Sequence, residues 1–301
     1  MPSNEINRRK IFKNTVMLYV RLLFSTIISL YTSRVVLNQL GVNDYGIYSL
    51  VGGIVLIFSF LNASMSAATS RFITVEITNG DENTLKETFN VALITHIIIA
   101  GIVLILAETV GLWFVLNKLN IENHRMTAAL WVYQLSVASS LVSITQVPYN
   151  SSLIAHENMG LFAYIDILSS VLKLGVALLL YVAFFDSLIF YAVFIFIVSV
   201  IIASLYRIVC IRKYKECRFQ WKWNKEIGKS LLNFSGWNLY AQGCFVGRQQ
   251  GTNILLNIFG GTAVNAAAGL ATTIQNIIEQ GATNLVMAAR PQIIGQYTLK
   301  K

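Results

Sequence analysis

The sequence predicts an all-α, polytopic membrane protein: a six-helix N-terminal lobe followed by the first two helices of a second, repeated lobe. Three observations lead there. The 301 residues are 55% hydrophobic and only 12% charged, about half the charged fraction of a soluble domain. The apolar residues come in blocks of bilayer-crossing length, not in the ~10-residue alternating segments of a β-barrel. The last stretch of the chain, residues 233–290, also repeats residues 14–71 in register.

Taken in order, the apolar blocks predict spans near 12–37, 46–69, 88–116, 128–150, 161–185, 187–207, 230–257 and 262–289. The start, MPSNEINRRKIFKN, is polar and basic, and no small-residue cleavage motif closely follows the first apolar run. That run is therefore expected to be a retained helix and not a signal peptide. The longest outer loop, NKLNIENHR at 117–125, has no room for a folded domain. The longest inner segment, RKYKECRFQWKWNKEIGK at 212–229, is basic and aromatic and is expected to lie along the membrane surface. It divides the chain into a six-helix lobe (1–210), a basic linker (211–229) and two helices of the second lobe (230–301).

The net charge of +9 raises nucleic-acid binding, and its placement argues against it. Of the 23 Lys and Arg residues, 17 fall in segments on the N-terminal side of the membrane and two, Lys118 and Arg125, in outer loops. The remaining four, Arg21, Arg34, Lys173 and Arg248, interrupt spans. Such a split is the positive-inside signal and predicts that both ends are cytoplasmic. Cys210, Cys217 and Cys244 have ordinary spacing and suggest neither a disulfide framework nor a metal site.

The repeat appears when the chain is slid along itself by 219 positions. LNQLG at 37–41 then meets LNIFG at 256–260, and Asn14, Ala63 and Arg71 meet Asn233, Ala282 and Arg290. Spans one and seven both run outward, so the repeat is parallel, of the kind that relates two lobes about an axis along the membrane normal. A second lobe of equal size would hold six helices, so the chain reads as a fragment.

Ionisable groups inside a membrane are costly and mark function unless they reach an interface. Arg21 and Arg34 on span one can each snorkel or face an interior. Asp166 and Lys173, seven residues apart on span five, lie on nearly one face but ~10 Å apart along the axis. Either Asp166 sits at the inner interface while Lys173 pairs with a neighbour, or both face a hydrated cavity. On span seven, Gly243, Gly247 and Gly251 form a close-packing GxxxGxxxG stripe. Asn238, Gln242, Gln249 and Asn253 fall within ~60° of one another on another face. These amides either line water or a polar ligand, with Arg248 in reach, or hydrogen-bond between helices. Glu279 on span eight can neutralise an arginine or bind a coupling ion; Glu108 and His96 fit interfacial roles. No P-loop, HExxH or GxSxG occurs, which argues against an ATP-driven pump and an enzyme.

The stretches LNQLGVNDYGIYSLVGG, FLNASMSAATSRFIT and NFSGWNLYAQ together resemble the polysaccharide-transporter branch of the multidrug/oligosaccharidyl-lipid/polysaccharide (MOP, MATE-like) exporters, the Wzx-like O-antigen flippases. The resemblance covers the whole chain. It implies two six-helix lobes in a V, in a bacterial inner membrane, moving an undecaprenyl-pyrophosphate-linked oligosaccharide for lipopolysaccharide or surface polysaccharide by alternating access. It implies no cofactor, leaves Na+ or H+ open as coupling ion, and adds membrane lipids and polysaccharide polymerase machinery as partners. Under it, Arg21, Arg34, Lys173, Asn238, Gln242, Arg248, Gln249 and Asn253 are assigned to the substrate cavity by position and chemistry. Asp166 and Glu279 become countercharge or ion-coupling residues. A cation-coupled drug exporter on the same fold would instead favour carboxylates in its cavity. A polymerase or ligase would need a catalytic outer loop that 117–125 does not provide. A truncated, non-transporting relic is the third rival.

Overall fold

Every regular element among the described residues is helical, the solution hydrocarbon imposes on an open chain because a helix satisfies its own backbone polar groups. The computed structural model describes residues 8–56, 59–119, 121–182 and 185–299, with side chains at all of these except 53–56, 59–64, 242, 245–247, 249–274, 276 and 277. The elements are α1 (Arg8–Leu56), α2 (Ser59–Asn79), α3 (Glu82–Leu106), α4 (Leu112–Lys118), α5 (Met126–Ala155), α6 (Met159–Leu179), α7 (Ser187–Lys213) and α8 (Lys225–Leu299).

α1 is two helices joined at Gly41, where φ is 76° and ψ 170°. That region of backbone space is open essentially to glycine alone. The break falls where LNQLG was expected to end the first span. α3 begins at Asp81, whose carboxylate accepts from the backbone N–H of Asn83 (2.9 Å) and Thr84 (3.4 Å). It passes into α4 through a single π turn, Ala107–Gly111. There the buried Tyr133 of α5 donates its hydroxyl to the Ala107 carbonyl at 2.6 Å.

α5 is the central helix, packing on α1, α2, α3 and α7. Its fully buried Tyr133 and Leu153 meet a core that includes Phe89 and Leu188, with Phe89 edge-on to Tyr149 at 5.2 Å. The periphery is equally apolar: Ile27 is 67% and Leu30 70% exposed. Water would penalise such faces by ~25 cal/mol per Å², whereas lipid tails do not. Five helical segments, Arg8–Gly52, Glu82–Lys118, Asn123–Ala155, Met159–Val182 and Ser187–Lys213, are long and apolar enough to cross a membrane. Of the other three expected spans, 46–69 includes residues outside those described, while 230–257 and 262–289 fall within α8 and include residues whose side chains are not described.

At the end of the bundle away from the N-terminus, Arg125 grips Asp44 and Asp186 at once. Asp186 also caps α7, accepting from the N–H of Leu188 (3.0 Å) and Ile189 (3.2 Å). Burial pushes this carboxyl up, but Arg125 and the two amides outweigh it and hold it below the usual value of 3.8. At the basic end, His156 lies flat on Tyr214, with ring centroids 4.0 Å apart, and meets the Glu216 carboxylate at 2.5 Å.

α8 cannot be straight. Phe234 packs on Phe72 with centroids 6.2 Å apart, and a Cβ at Gly295 would lie 3.2 Å from the Thr78 hydroxyl. Phe72 and Thr78 are under two turns apart on α2, whereas a straight helix would separate Phe234 from Gly295 by on the order of 90 Å. The segment therefore doubles back, in keeping with the two antiparallel spans expected there.

Candidate functional site: the α1–α6–α8 seam

α1 and α6 run side by side in the same direction, tied at two levels. The lower tie is Glu157, in the turn before α6 and at φ 56°. Its carboxylate takes Lys10 Nζ at 3.0 Å and the Gln292 side-chain amide at 2.9 Å, while its carbonyl accepts from Asn14 Nδ2 at 3.3 Å. The upper tie is Arg21. Its Nη1 donates to Asp166 Oδ2 and its Nη2 to Asn284 Oδ1, both at 3.1 Å. Its guanidinium also lies 5.0 Å from the centre of the Phe162 ring. Arg21 stands about 16 Å above Lys10 along its helix, which is near the middle of a ~30 Å hydrocarbon layer if the lower tie marks its edge.

Arg21 is therefore held in the seam and does not snorkel: its side chain is 15% exposed, against 43% for Asp166. Leu18, Ile154, Met159 and Ala288 pack together beside it, and Tyr19 donates its hydroxyl to the Gly281 carbonyl at 3.0 Å. Two buried nitrogens of this cluster, Arg21 Nε and Asn284 Nδ2, have no hydrogen-bond partner among the described residues. Both are donors, and the Thr15 and Ser25 hydroxyls on the same helix as Arg21 are likewise buried without a partner among the described residues.

The other expected residues are dispersed. Asp166 pairs with Arg21 and not with Lys173, which is exposed on the same helix, seven residues being too far along the axis for a direct bond. Arg34 and Arg248 are exposed. Asn238 donates one turn back to the Phe234 carbonyl at 3.2 Å, and the exposed Glu279 accepts from Gln275 at 2.7 Å. Gln242, Gln249 and Asn253 lie outside the described side chains. Sequence reasoning missed Asn284, Glu157 and Gln292. Their partners are more than a hundred residues away and carry no local signal, although Asn14 was flagged by the repeat.

A second feature opens beside the seam. Between α2 and α8 lies a cleft of about 430 Å³, within the size range of ligand pockets. Phe72, Phe234 and Trp237 line it with Asn233, Glu76 and Arg71, the last stacked over Phe234 at 4.7 Å.

No protein-family model matches the chain, and no curated protein matches it by sequence. Solved structures do. An outward-facing MATE family transporter of the MOP superfamily superposes with a TM-score of 0.80 over 95% of this chain, at 14% identity. The chain has part of a MATE-like fold. A MOP superfamily transporter from Pyrococcus furiosus gives 0.75 over 93% at 14% identity, and is described as having a binding pocket of reverse polarity that suggests a different function. A Vibrio cholerae MATE transporter gives 0.76 over 97% at 18% identity. The chain spans 64%, 62% and 66% of these three proteins' lengths. A MATE-like arrangement of helices is thus established, and what it carries has to be argued from its side chains.

Proposed function

We propose that this chain belongs to an exporter that moves a lipid-linked, pyrophosphate-bearing oligosaccharide across a bacterial inner membrane. The observation that carries this reading is the donor surplus in the seam. Arg21 spends one Nη on a carboxylate and the other on an amide, and its Nε and Asn284 Nδ2 remain unspent and buried. A phosphate oxygen is the natural acceptor for such groups, and guanidinium binds it with directional, charge-assisted bonds. A site built for a cation would show the reverse, with buried carboxylate oxygens left over, whereas Asp166 Oδ1, without a partner among the described residues, lies on a side chain that is 43% exposed. The aromatic cleft beside Arg71 offers an apolar surface with a cation at its rim, suited to the junction of headgroup and lipid.

The reading has one competitor with an observation behind it. Asp166 is 43% exposed, open enough to exchange Arg21 for a proton or Na+, as a cation-coupled drug exporter on the same fold would use it. The Pyrococcus neighbour's description supports the view that pocket polarity varies on this fold.

Depleting the gene and analysing undecaprenyl-linked sugars separates the two. Accumulation of complete repeat units on the cytoplasmic face is the expected result, reproduced by Arg21→Ala and Arg21→Lys. Unchanged lipid-linked sugars together with new sensitivity to cationic drugs would transfer the assignment to drug export and to Asp166.

A further inference from the structure

Between α7 and α8 the chain does not form an amphipathic helix. Apart from one 3₁₀ turn, Lys215–Cys217, it is a non-helical strap. Residues 218–223 read RFQWKW, a strict alternation. In a fully extended segment this would put Phe219, Trp221 and Trp223 on one side and Arg218, Gln220 and Lys222 on the other; here the Lys222 N–H donates to the Gln220 carbonyl at 2.7 Å and tightens the chain into a turn at Trp221. Phe219 and Trp221 meet edge to face at 6.0 Å, and the three are 48%, 78% and 47% exposed.

The strap is fixed to α3. The backbone N–H of Gln220 donates to Asn90 Oδ1 at 2.6 Å, and Asn90, itself buried, donates to the Lys86 carbonyl at 2.8 Å. Asn224 donates to Glu87 Oε2 at 3.0 Å. Trp223 is seated over Gly228, where a Cβ would come within 2.6 Å of the indole. Under the strap lies a polar cleft of about 460 Å³ lined by Asn83, Lys86, Glu87, Asn90, Gln220 and Lys222. It holds two ammonium groups, three amide side chains and one carboxylate, and that carboxylate is engaged by Asn224.

We propose that this cleft binds the phosphate headgroup of an anionic phospholipid in the leaflet on which the strap lies. Lys86 and Lys222 hold the phosphate, the amides donate to its oxygens, and Phe219, Trp221 and Trp223 enter the interfacial layer beside it. The charge of the cleft selects an anion. The row of exposed aromatics selects a lipid over a free phosphate, because indoles concentrate at the headgroup level of a bilayer. The end of the bundle is the right one, since most of the chain's Lys and Arg gather there and the cytoplasmic leaflet carries negative surface charge. The assignment is independent of what the protein transports.

The test uses the intact chain in nanodiscs, with Trp113, Trp131 and Trp237 replaced by Phe so that Trp221 and Trp223 report. Quenching is compared between phosphatidylglycerol and phosphatidylcholine brominated near the top of the acyl chain. The expected result is a preference for brominated phosphatidylglycerol that falls about fivefold for each of Lys86→Gln and Lys222→Gln. It is largely retained in Lys225→Gln, which removes a nearby charge outside the cleft. Equal quenching by both lipids, or a preference that survives the double variant, overturns the proposal. An equal loss in Lys225→Gln would reduce the effect to general surface charge. Abolition by inorganic phosphate would assign the cleft to a free anion. Either of these also overturns it.

Discussion

Arg21 and Asp166, 145 residues apart in the chain, meet at 3.1 Å with very different access to water: 15% of the arginine side chain is exposed and 43% of the aspartate. Removing either partner breaks the same bond but strands a different charge. Asp166→Ala leaves a shielded cation, while Arg21→Met leaves a carboxylate that water can reach. Thermal unfolding in detergent is expected to show Asp166→Ala as the more damaging, by ~1–2 kcal/mol, less than a fully buried pair would give because Asp166 is partly hydrated. Equal losses from both variants would mean the pair is screened on both sides.

Gly41 has no heavy atom near the position of a Cβ, so its cost on substitution is purely one of backbone. With φ 76° and ψ 170°, Gly41→Ala is expected to cost about 1–3 kcal/mol. Gly41→Asn should fare no better, because asparagine's tolerance is for the left-handed helical region and ψ here is far from it. An asparagine variant as stable as wild type would contradict the observed break in α1.

At the π turn, a Cβ built on Gly111 would collide with the Tyr133 hydroxyl. Gly111→Ala is therefore expected to destabilise by ~1–3 kcal/mol through overpacking. Tyr133→Phe alone loses the bond to Ala107, worth about 1 kcal/mol. Together the two should cost less than their sum, since the phenylalanine removes the colliding atom. Additive losses in a double-mutant cycle would show that the clash is relieved elsewhere.

Asp186 gives a pH signature. Its carboxyl is held below the usual 3.8, so the unfolded chain takes up a proton before the folded one does. The stability it contributes is fully present above ~4 and is lost as pH falls through the lower, folded value. The melting temperature is expected to decline from pH ~4 downward, and Asp186→Asn, which retains a capping oxygen, should flatten some of that decline. An unchanged acid limb would place the sensitivity elsewhere.

Much of this architecture can be read from composition because the bilayer allows so few solutions. Span order, the break at the end of LNQLG and the doubling back of α8 follow from apolar block lengths and the 219-residue offset. The ties between spans are a different matter. Arg125 counted as a topological charge in the sequence, yet it joins Asp44 and Asp186, which lie 81 and 61 residues away. Nothing local announces such a meeting. Asp166 and Lys173 share a helix face and the sequence already places them too far apart along its axis to pair, but it does not show that Arg21 reaches Asp166 from another segment. The alternation of RFQWKW was the one legible clue that the linker is not helical, since a period of two is incompatible with an amphipathic helix.

The doubled-back α8 stands with both feet on α2, Phe234 against Phe72 and Gly295 beside Thr78, and the strap before it is fastened to α3 through Asn90. A hairpin secured in this way at its base has no slack with which to slide along its neighbours. Its easy motion is to lean, as a door leans on its jamb, with displacement growing with distance from the fastened end. The Arg21–Asn284 bond, 3.1 Å long, sits a few turns above that pivot, where a small angle is enough to pull it open.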